Sequence, residues 1–336
     1  MTFELQSPGN RLDVALLERI YQDAPPALKF SRARLRELFK NKRVLLDGTP
    51  AVAAHTLDDK NHHIEILDFS WNEVGAQGAT PSPQGSWIQV IFDSAEIFAL
   101  NKPAHTPSLP HSEKETDTAV NSALATFPKL SELAESGQCK PLEPGLLHRL
   151  DNETSGVLVF AKTAEAFEHF RHHWKTDRIT KIYRAIVYSD PNSAAIALPT
   201  VITQPLGHDS KSSRRMIALP LGSDGQPTEW SLKKIRGKPL EARTRILRSE
   251  KLRSLPNGQT LLDLEIEIET GVMHQIRCHL AHLGFPIIGD TVYGGAEPSQ
   301  LGLQKRLYLH AWKLLLKTQG APTVIEAPLP SEFNFD

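Results

Sequence analysis

Residues 143–163 read EPGLLHRLDNETSGVLVFAKT, and the reading of the whole chain turns on this stretch. Residues 157–161 are a short run of apolar, β-favouring side chains, which predicts a buried strand, and residues 164–174 after it have helical composition. Directly before the strand sits a polar knot of His148, Arg149, Asp151, Asn152, Glu153, Thr154, Ser155 and Gly156. Polar side chains packed against a buried strand form either a cap network or a site. Asp151 is the member with chemistry to offer. Beside Arg149 its carboxylate is held in the charged form, and a charged carboxylate can act as nucleophile or base. A turn or cap role for Asp151 stands next to that reading. Asp151 and Glu153 as a glycosidase pair is a third reading, which a spacing of two residues on one turn supports poorly.

Working outward, residues 87–92 and 97–100 flank Asp93-Ser94 and predict a pair of strands. Residues 180–190, TKIYRAIVYSD, alternate as a strand with basic and aromatic members. Residues 269–295 pass from a turn at Thr270-Gly271 into a helix that Gly284 and Pro286 end. His274, Cys278 and His282 lie at i, i+4 and i+8 of that helix. Three ligands on one straight helix would span about 12 Å and cannot share an ion, so no metal is expected there.

Towards the N-terminus, residues 71–86, WNEVGAQGATPSPQGS, have linker chemistry. They divide a small module at 28–70 from a large block at 87–330, with residues 1–27 as an extension whose stretch 14–20 predicts a short helix. A flexible coil of about 16 residues spans roughly 20–24 Å. Within the module, Ser31 is a good N-cap, and Leu35, Leu38 and Phe39 recur at i, i+3 and i+4 as one apolar face. Arg32, Arg36, Lys40 and Arg43 fall on a neighbouring stripe, and seven basic residues between Lys29 and Arg43 meet one acid, Glu37. A helix that is merely solvated interleaves acids, so charge of one sign points to a polyanion such as RNA. Asp47-Gly48 predicts a hairpin turn and residues 63–67 a closing strand.

The chain of 336 residues carries 38 Lys and Arg against 39 Asp and Glu, a formal charge of −1. That balance excludes coating of nucleic acid by bulk charge and leaves a local basic site open. With 40% hydrophobic and 23% charged residues the composition is globular, and two cysteines cannot frame a disulfide scaffold. No basic leader followed by an apolar run opens the chain, so a cytoplasmic protein without membrane contact is the expectation.

Taken together, HRLDNETSG (148–156), KIYRAIV (181–187), HQIRCHLAHLGFPIIGDTVYG (274–294) and RLYLHAW (306–312) resemble the RluA-type RNA pseudouridine synthase family. NKPAHTPSLP (101–110), PLGHDSKSSRRM (205–216) and KPLEARTRIL (238–247) fit its weaker motifs. Residues 31–66 resemble the S-four-type (alpha-L) RNA-binding module. The resemblance implies an α+β architecture, with a catalytic domain on a central, mostly antiparallel mixed sheet and a small S-four-like module before it. It implies detachment, rotation and rejoining of uracil through carbon 5, with no metal or organic cofactor, on ribosomal or transfer RNA, by a monomer.

Residue by residue, the resemblance gives Asp151 the role of essential aspartate and Tyr183 that of stacking partner and candidate base. It gives Arg277 the ion pair to the aspartate, and Arg149 the gap left by the flipped uridine. His148, Thr154, His274 and Ile276 fall in the same motifs as candidate substrate contacts, and Arg32, Arg36, Lys40 and Arg43 as RNA contacts. Flipping is required because a base inside a stem cannot meet a nucleophile. Two departures stand out: Val272 replaces the family's usual Arg, and His105 stands where Gly is common. An RNA-binding or ribosome-assembly factor with a decayed site is the alternative that Val272 motivates.

Overall fold

The computed structural model describes residues 1–23, 32–68, 78–174, 176, 178–189, 200–255, 258–317 and 323–335. The expected cap Ser31 and the first part of the expected linker, residues 71–77, lie outside them. The chain divides into two compact units: Met1–Gly78 with Glu135–Gly137, and Ala79–Ala134 with Gln138–Asp336.

The first unit runs β1 (Thr2–Leu5), α1 (Leu12–Asp23), α2 (Arg32–Lys40), β2 (Val44–Leu46), β3 (Thr49–Pro50) and β4 (His62–Ile66). Its antiparallel sheet has the order β1-β4-β2-β3, an arrangement that fits an S-four-like module. Leu35, Leu38 and Phe39 are buried together with Leu12, Leu16 and Ile20 of α1 and with Phe3 and Leu5 of β1. Residues 1–23 are therefore part of this core and not an extension of it. The sequence missed this because Phe3 and Leu5 show their alternation over four residues only, burial pattern eBeB. At the hairpin, Asp47 takes a φ of 49° beside Gly48.

The second unit begins where the expected linker still runs. Ala79 N–H donates to the Pro141 carbonyl, Ser82 N–H to Asn121 O and Asn121 Nδ2 to Thr80 O. Residues 79–86 thus belong to the second unit, held by a buried Asn that a Gly/Pro-rich composition does not reveal.

This unit runs β5 (Val90–Asp93), β6 (Ile97–Lys102), α3 (Ala119–Thr126), α4 (Leu130–Glu135), β7 (Ser155–Ala161), α5 (Ala164–His173), β8 (Ile179–Ser189), β9 (Thr200–Ile202), β10 (Leu206–Asp209) and β11 (Met216–Ala218). It continues through α6 (Glu229–Leu232), β12 (Ile235–Leu240), β13 (Thr244–Ser254), β14 (Thr260–Ile268), α7 (Gln275–His282), β15 (Leu309–Leu316) and β16 (Thr323–Glu326). Thr118 opens α3 with a capping box to Asn121, and Thr163 caps α5 by accepting from Ala166 N–H at 3.1 Å. Phe333, beyond the expected boundary at 330, is buried in this unit's core.

The large mixed sheet has the order β5-β6-β7-β15-β8-β14-β13-β9, with β16 on β15. Its pairs are antiparallel except β7 with β15, where Ser155 faces His310 and Gly156 faces Ala311. All seven residues of β7 are buried, which is why its sequence is a continuous apolar run and not an alternating one. Gly156 has a φ of 117°, and a Cβ there would lie 2.1 Å from the Ala311 carbonyl oxygen. Only glycine lets these two backbones meet. One core gathers β6, β7 and α3; the other gathers β8, β14 and α7; Tyr183 packs against both. A separate three-stranded sheet, β11-β10-β12, packs its buried Leu206, Met216 and Ala218 with Cys278 and Tyr293. Among the described residues no helix is long and apolar enough to cross a membrane.

Candidate active site

Asp151 lies in the turn that leads into β7, where Thr154 N–H donates to the Asp151 carbonyl at 3.1 Å. Two neighbours hold this turn in place. Ser108 Oγ donates to the Leu150 carbonyl at 2.7 Å and accepts from Leu150 N–H at 3.0 Å. Lys102, fully buried at the end of β6, donates through Nζ to the carbonyls of Pro103, Thr106 and Asn152 at 3.0, 2.7 and 3.1 Å. Burial pulls the Lys102 ammonium down to about 7; the charge of Asp151 works against that fall and Arg306 adds to it.

Arg277 on α7 supplies the cation. Its Nη1 donates to Asp151 Oδ2 at 3.1 Å, and its Nη2 lies 3.5 Å from Glu153 Oε2. Its other edge is gripped by Asp290, with Nε to Oδ2 at 2.7 Å and Nη2 to Oδ1 at 2.9 Å. Arg277 is 3% exposed and Asp290 0%, whereas Asp151 keeps 27% of its side chain open. Burial opposes the guanidinium's charge, but the hydrogen bonds and charge of Asp290, and then Asp151, more than offset it, so its pKa is raised. A fork fixed on one side by a buried carboxylate presents its free side at a set angle. Asp290 in turn accepts from the N–H groups of Val292 and Tyr293.

His274 begins α7 with a left-handed φ of 54° and brings Nε2 to 3.7 Å from Asp151 Oδ2. Its Nδ1 is 3.1 Å from Tyr293 Oη, and that oxygen accepts Met216 N–H at 2.8 Å. Tyr293 Oη takes Met216 N–H on one lone pair and meets His274 Nδ1 with its proton or its second lone pair, so the contact orients the imidazole with Nε2 toward Asp151. Burial lowers the His274 pKa, Asp151 counteracts it and Arg277 reinforces it. Tyr183 stands on β8 opposite Ala311 of β15 and Ile266 of β14. Burial, and then the charge of Asp151, push its phenol above the ordinary range.

The remaining expected residues separate into three groups. Arg149 is exposed, and no described residue pairs with its guanidinium. Thr154 is 2% exposed, and its Oγ1 is a buried oxygen without a hydrogen-bond partner among the described residues. His148 and Ile276 differ from the expectation of substrate contact. The His148 ring stacks on Trp174 at 4.5 Å and its Nε2 accepts Val159 N–H, and burial pushes it down to about 3. Ile276 is a core residue beside Leu280 and Phe285. In the first unit, Arg32, Arg36 and Lys40 are exposed on α2. Arg43 lies beyond the helix, after Lys42 at a φ of 56°, and its guanidinium donates to the carbonyls of Leu67 and Asp68. It closes the module, which removes it from the helical stripe.

Asp290, Tyr293 and Lys102 do not stand out in the sequence as site residues. A signal for the first exists: an acid closing the apolar run FPIIGD is a buried carboxylate that needs a cation. Val272, in place of the usual Arg, packs against the cluster of Leu206, Met216 and Tyr293, and its N–H donates to Gln275 Oε1.

Residues 96–282 match the family described as RNA pseudouridylate synthase. An uncharacterized RNA pseudouridine synthase of Chloroflexus aurantiacus is 36% identical over 236 residues, which are 70% of this chain and 63% of that protein. The ribosomal large subunit pseudouridine synthase D of Haemophilus ducreyi is 27% identical over 337 residues, 97% of this chain and 89% of that one. Among solved structures, human RNA pseudouridylate synthase domain containing 1 superposes with a TM-score of 0.51 at 24% identity, over 73% of this chain and 84% of that one, a likeness of fold. The chain belongs to the RNA pseudouridylate synthase family of isomerases acting on RNA.

Proposed function

We propose that this protein converts uridine to pseudouridine in large-subunit ribosomal RNA, with Asp151 as the residue that drives detachment of the base. The observation that carries the reading is the Asp151 carboxylate, open on one side and fixed on the other by an Arg277 that Asp290 holds. An aspartate so placed has an anionic oxygen ready and a cation to return to when the intermediate breaks down. The choice of RNA follows the Haemophilus relative's printed name and near full-length match.

Tyr183 serves the flipped base as a stacking face, which needs the neutral phenol. As a base for the proton on carbon 5 it must first give up its own proton, which burial, and then the charge of Asp151, oppose. Bonding of Asp151 to the sugar or base removes the second of these, so the phenol releases its own proton to water more readily and the phenolate can take the proton from carbon 5. Arg149, exposed and without an ion-pair partner among the described residues, fills the gap in the stem. The orphaned Thr154 hydroxyl takes a partner from the bound nucleotide. The exposed cations Arg32, Arg36 and Lys40 rest on folded RNA and add affinity.

The test is uridine-labelled ribosomal RNA incubated with wild type, Asp151→Asn and Asp151→Ala. Pseudouridine from wild type and none from the variants is expected. Equal conversion by the variants overturns the assignment. An unmodified RNA together with retained biological function of Asp151→Ala would establish the decayed-site alternative instead.

A further inference from the structure

The three-stranded sheet β11-β10-β12 and the turn and helix attached to it carry a charge distribution that the rest of the second unit does not share. Residues 211–238 contain seven basic side chains, Lys211, Arg214, Arg215, Lys233, Lys234, Arg236 and Lys238, against two acids, Asp224 and Glu229. All seven are exposed. None is in an ion pair among the described residues, whereas Arg243, Arg245 and Arg248 immediately after them are each paired with Glu269, Glu250 or Glu265. Cations left without acids across one surface repel each other, and a merely soluble face does not keep that arrangement.

The sheet register gathers these charges. His208 faces Met216 on one side and Arg236 on the other, and Ser210 N–H donates to the Lys234 carbonyl. The turn 209–215 and the 233–238 segment therefore flank one strand. Asp209 does not neutralise them: its Oδ1 accepts Lys211 N–H and shapes the turn. Beside them Trp230 is 64% exposed, with Lys234 Nζ 3.2 Å from its ring centroid. The strip reaches the candidate active site through Arg215, whose guanidinium lies 5.9 Å from the Tyr293 ring, and Arg277 lies 5.5 Å from the same ring.

We propose that this face is a second RNA-contact surface, holding the phosphodiester backbone of the strand that leads to Asp151 and stacking an unpaired base on Trp230. Unpaired exposed cations next to an exposed aromatic are what a single strand requires: charge for its phosphates and a flat face for its bases. The proposal rests on the synthase reading for its choice of RNA as the polyanion.

The experiment measures the affinity of the full chain for a large-subunit ribosomal RNA transcript as a function of salt. The triple variant Lys211→Ala, Lys234→Ala, Lys238→Ala should lower the magnitude of the slope of log Kd against log salt by about 2–3, at 0.7–0.9 for each phosphate no longer neutralised. Trp230→Ala should weaken binding about 5- to 100-fold with little change in slope. Lys140→Ala, an exposed cation paired with Glu143, serves as the control. An unchanged slope in the triple variant, with its thermal midpoint intact, overturns the proposal, and so does an equal fall per charge in the control. Conversion of uridine is read separately. Wild type that converts none but loses slope in the variant would sink the synthase reading and leave the surface standing; conversion with an unaltered slope would do the reverse.

Discussion

Asp290 holds Arg277 by two hydrogen bonds, at 2.7 and 2.9 Å, and both side chains are almost fully buried. The pair is a mount for the third bond, from Arg277 to Asp151. Asp290→Asn keeps the volume and removes the charge, so Arg277 loses the partner that fixes its orientation. The expected outcome is a kcat lower by about 10- to 100-fold with KM little altered, as for outer partners of ligating groups. Leaving a buried arginine short of its carboxylate should also cost about 3–5 kcal/mol of stability. Single-turnover conversion and urea unfolding check the two effects, and an undiminished kcat would show that Arg277 needs no mount.

Tyr293 orients the His274 ring through the Oη–Nδ1 contact. In Tyr293→Phe the Nδ1 loses its partner, and the ring is freer to take up a second proton. An imidazolium beside Asp151 competes for the carboxylate, so loss of activity on the acid side should begin at higher pH than in wild type. A kcat about tenfold lower at neutral pH accompanies it, less than the roughly 10²–10⁴-fold of a group that transfers the proton itself, because Tyr293 acts through His274. The pH–rate profiles of the two proteins decide the matter: superimposable acid limbs would remove His274 from the reaction.

How much of this is legible in the sequence follows from how local each signal is. Leu35, Leu38 and Phe39 announce a buried helix face within five residues, and they are buried. The β7 strand announces itself by an apolar run; the resemblance implied that Arg277 meets Asp151, and the two are hydrogen-bonded, while the approach of His274 to Asp151 was not implied. Asp290 and Tyr293 are hidden because their partners sit 13 and 19 residues away, across a turn no periodicity describes. His148 misleads because a histidine in a polar knot looks the same whether it faces a ligand or accepts the Val159 N–H. The first 23 residues mislead because a four-residue strand is recognised by its partner, β4, and not by its own pattern.

His105 has no account in the sequence, and its backbone supplies one. It takes a φ of 60°, in the left-handed region where glycine is at ease and other residues are strained. Its ring is exposed, so no packing is lost on removing it. His105→Gly should stabilise the protein by about 0.5–1 kcal/mol, relief of strain outweighing the added freedom of the unfolded chain. A thermal midpoint higher by about 1–3 °C is the readout. A lower midpoint would mean that the imidazole makes a contribution larger than the strain.

Arg36 and Lys40 are exposed cations one turn apart on α2. Neutralising both should flatten the salt dependence of RNA binding by about 0.7–0.9 for each phosphate they neutralise in wild type. Arg43→Ala should act differently, because its guanidinium closes onto the carbonyls of Leu67 and Asp68. There the first unit should unfold more readily while the salt slope changes little. Filter binding across salt concentrations, with unfolding monitored in parallel, separates the two kinds of residue.

The two units should respond to pH in opposite senses near neutrality. In the second unit burial holds His310 down to about 4 and His148 down to about 3, against an ordinary value of about 6.5. Arg306 Nη2 donates to Ser155 Oγ, and that hydroxyl donates to His310 Nδ1, which fixes the neutral ring. Unfolding at acid pH lets both histidines bind protons that the folded unit refuses. The stability they contribute is complete above about pH 6.5 and is lost as pH falls toward 4, on the order of 3 kcal/mol for His310. In the first unit His62 is bridged by Asp47 at Nδ1 and Asp58 at Nε2, and its pKa is raised, first by the hydrogen bond to Asp47. Its contribution is complete below about pH 6.5 and is lost as pH rises through the raised value. Hydrogen exchange at Val159 and at Ile64 reads the two units separately: between pH 6.5 and 5, protection at Val159 should fall while that at Ile64 holds. His148→Gln, whose amide oxygen can accept Val159 N–H but cannot titrate, should flatten the first of these trends, and a slope as steep as wild type would exclude His148 as its source.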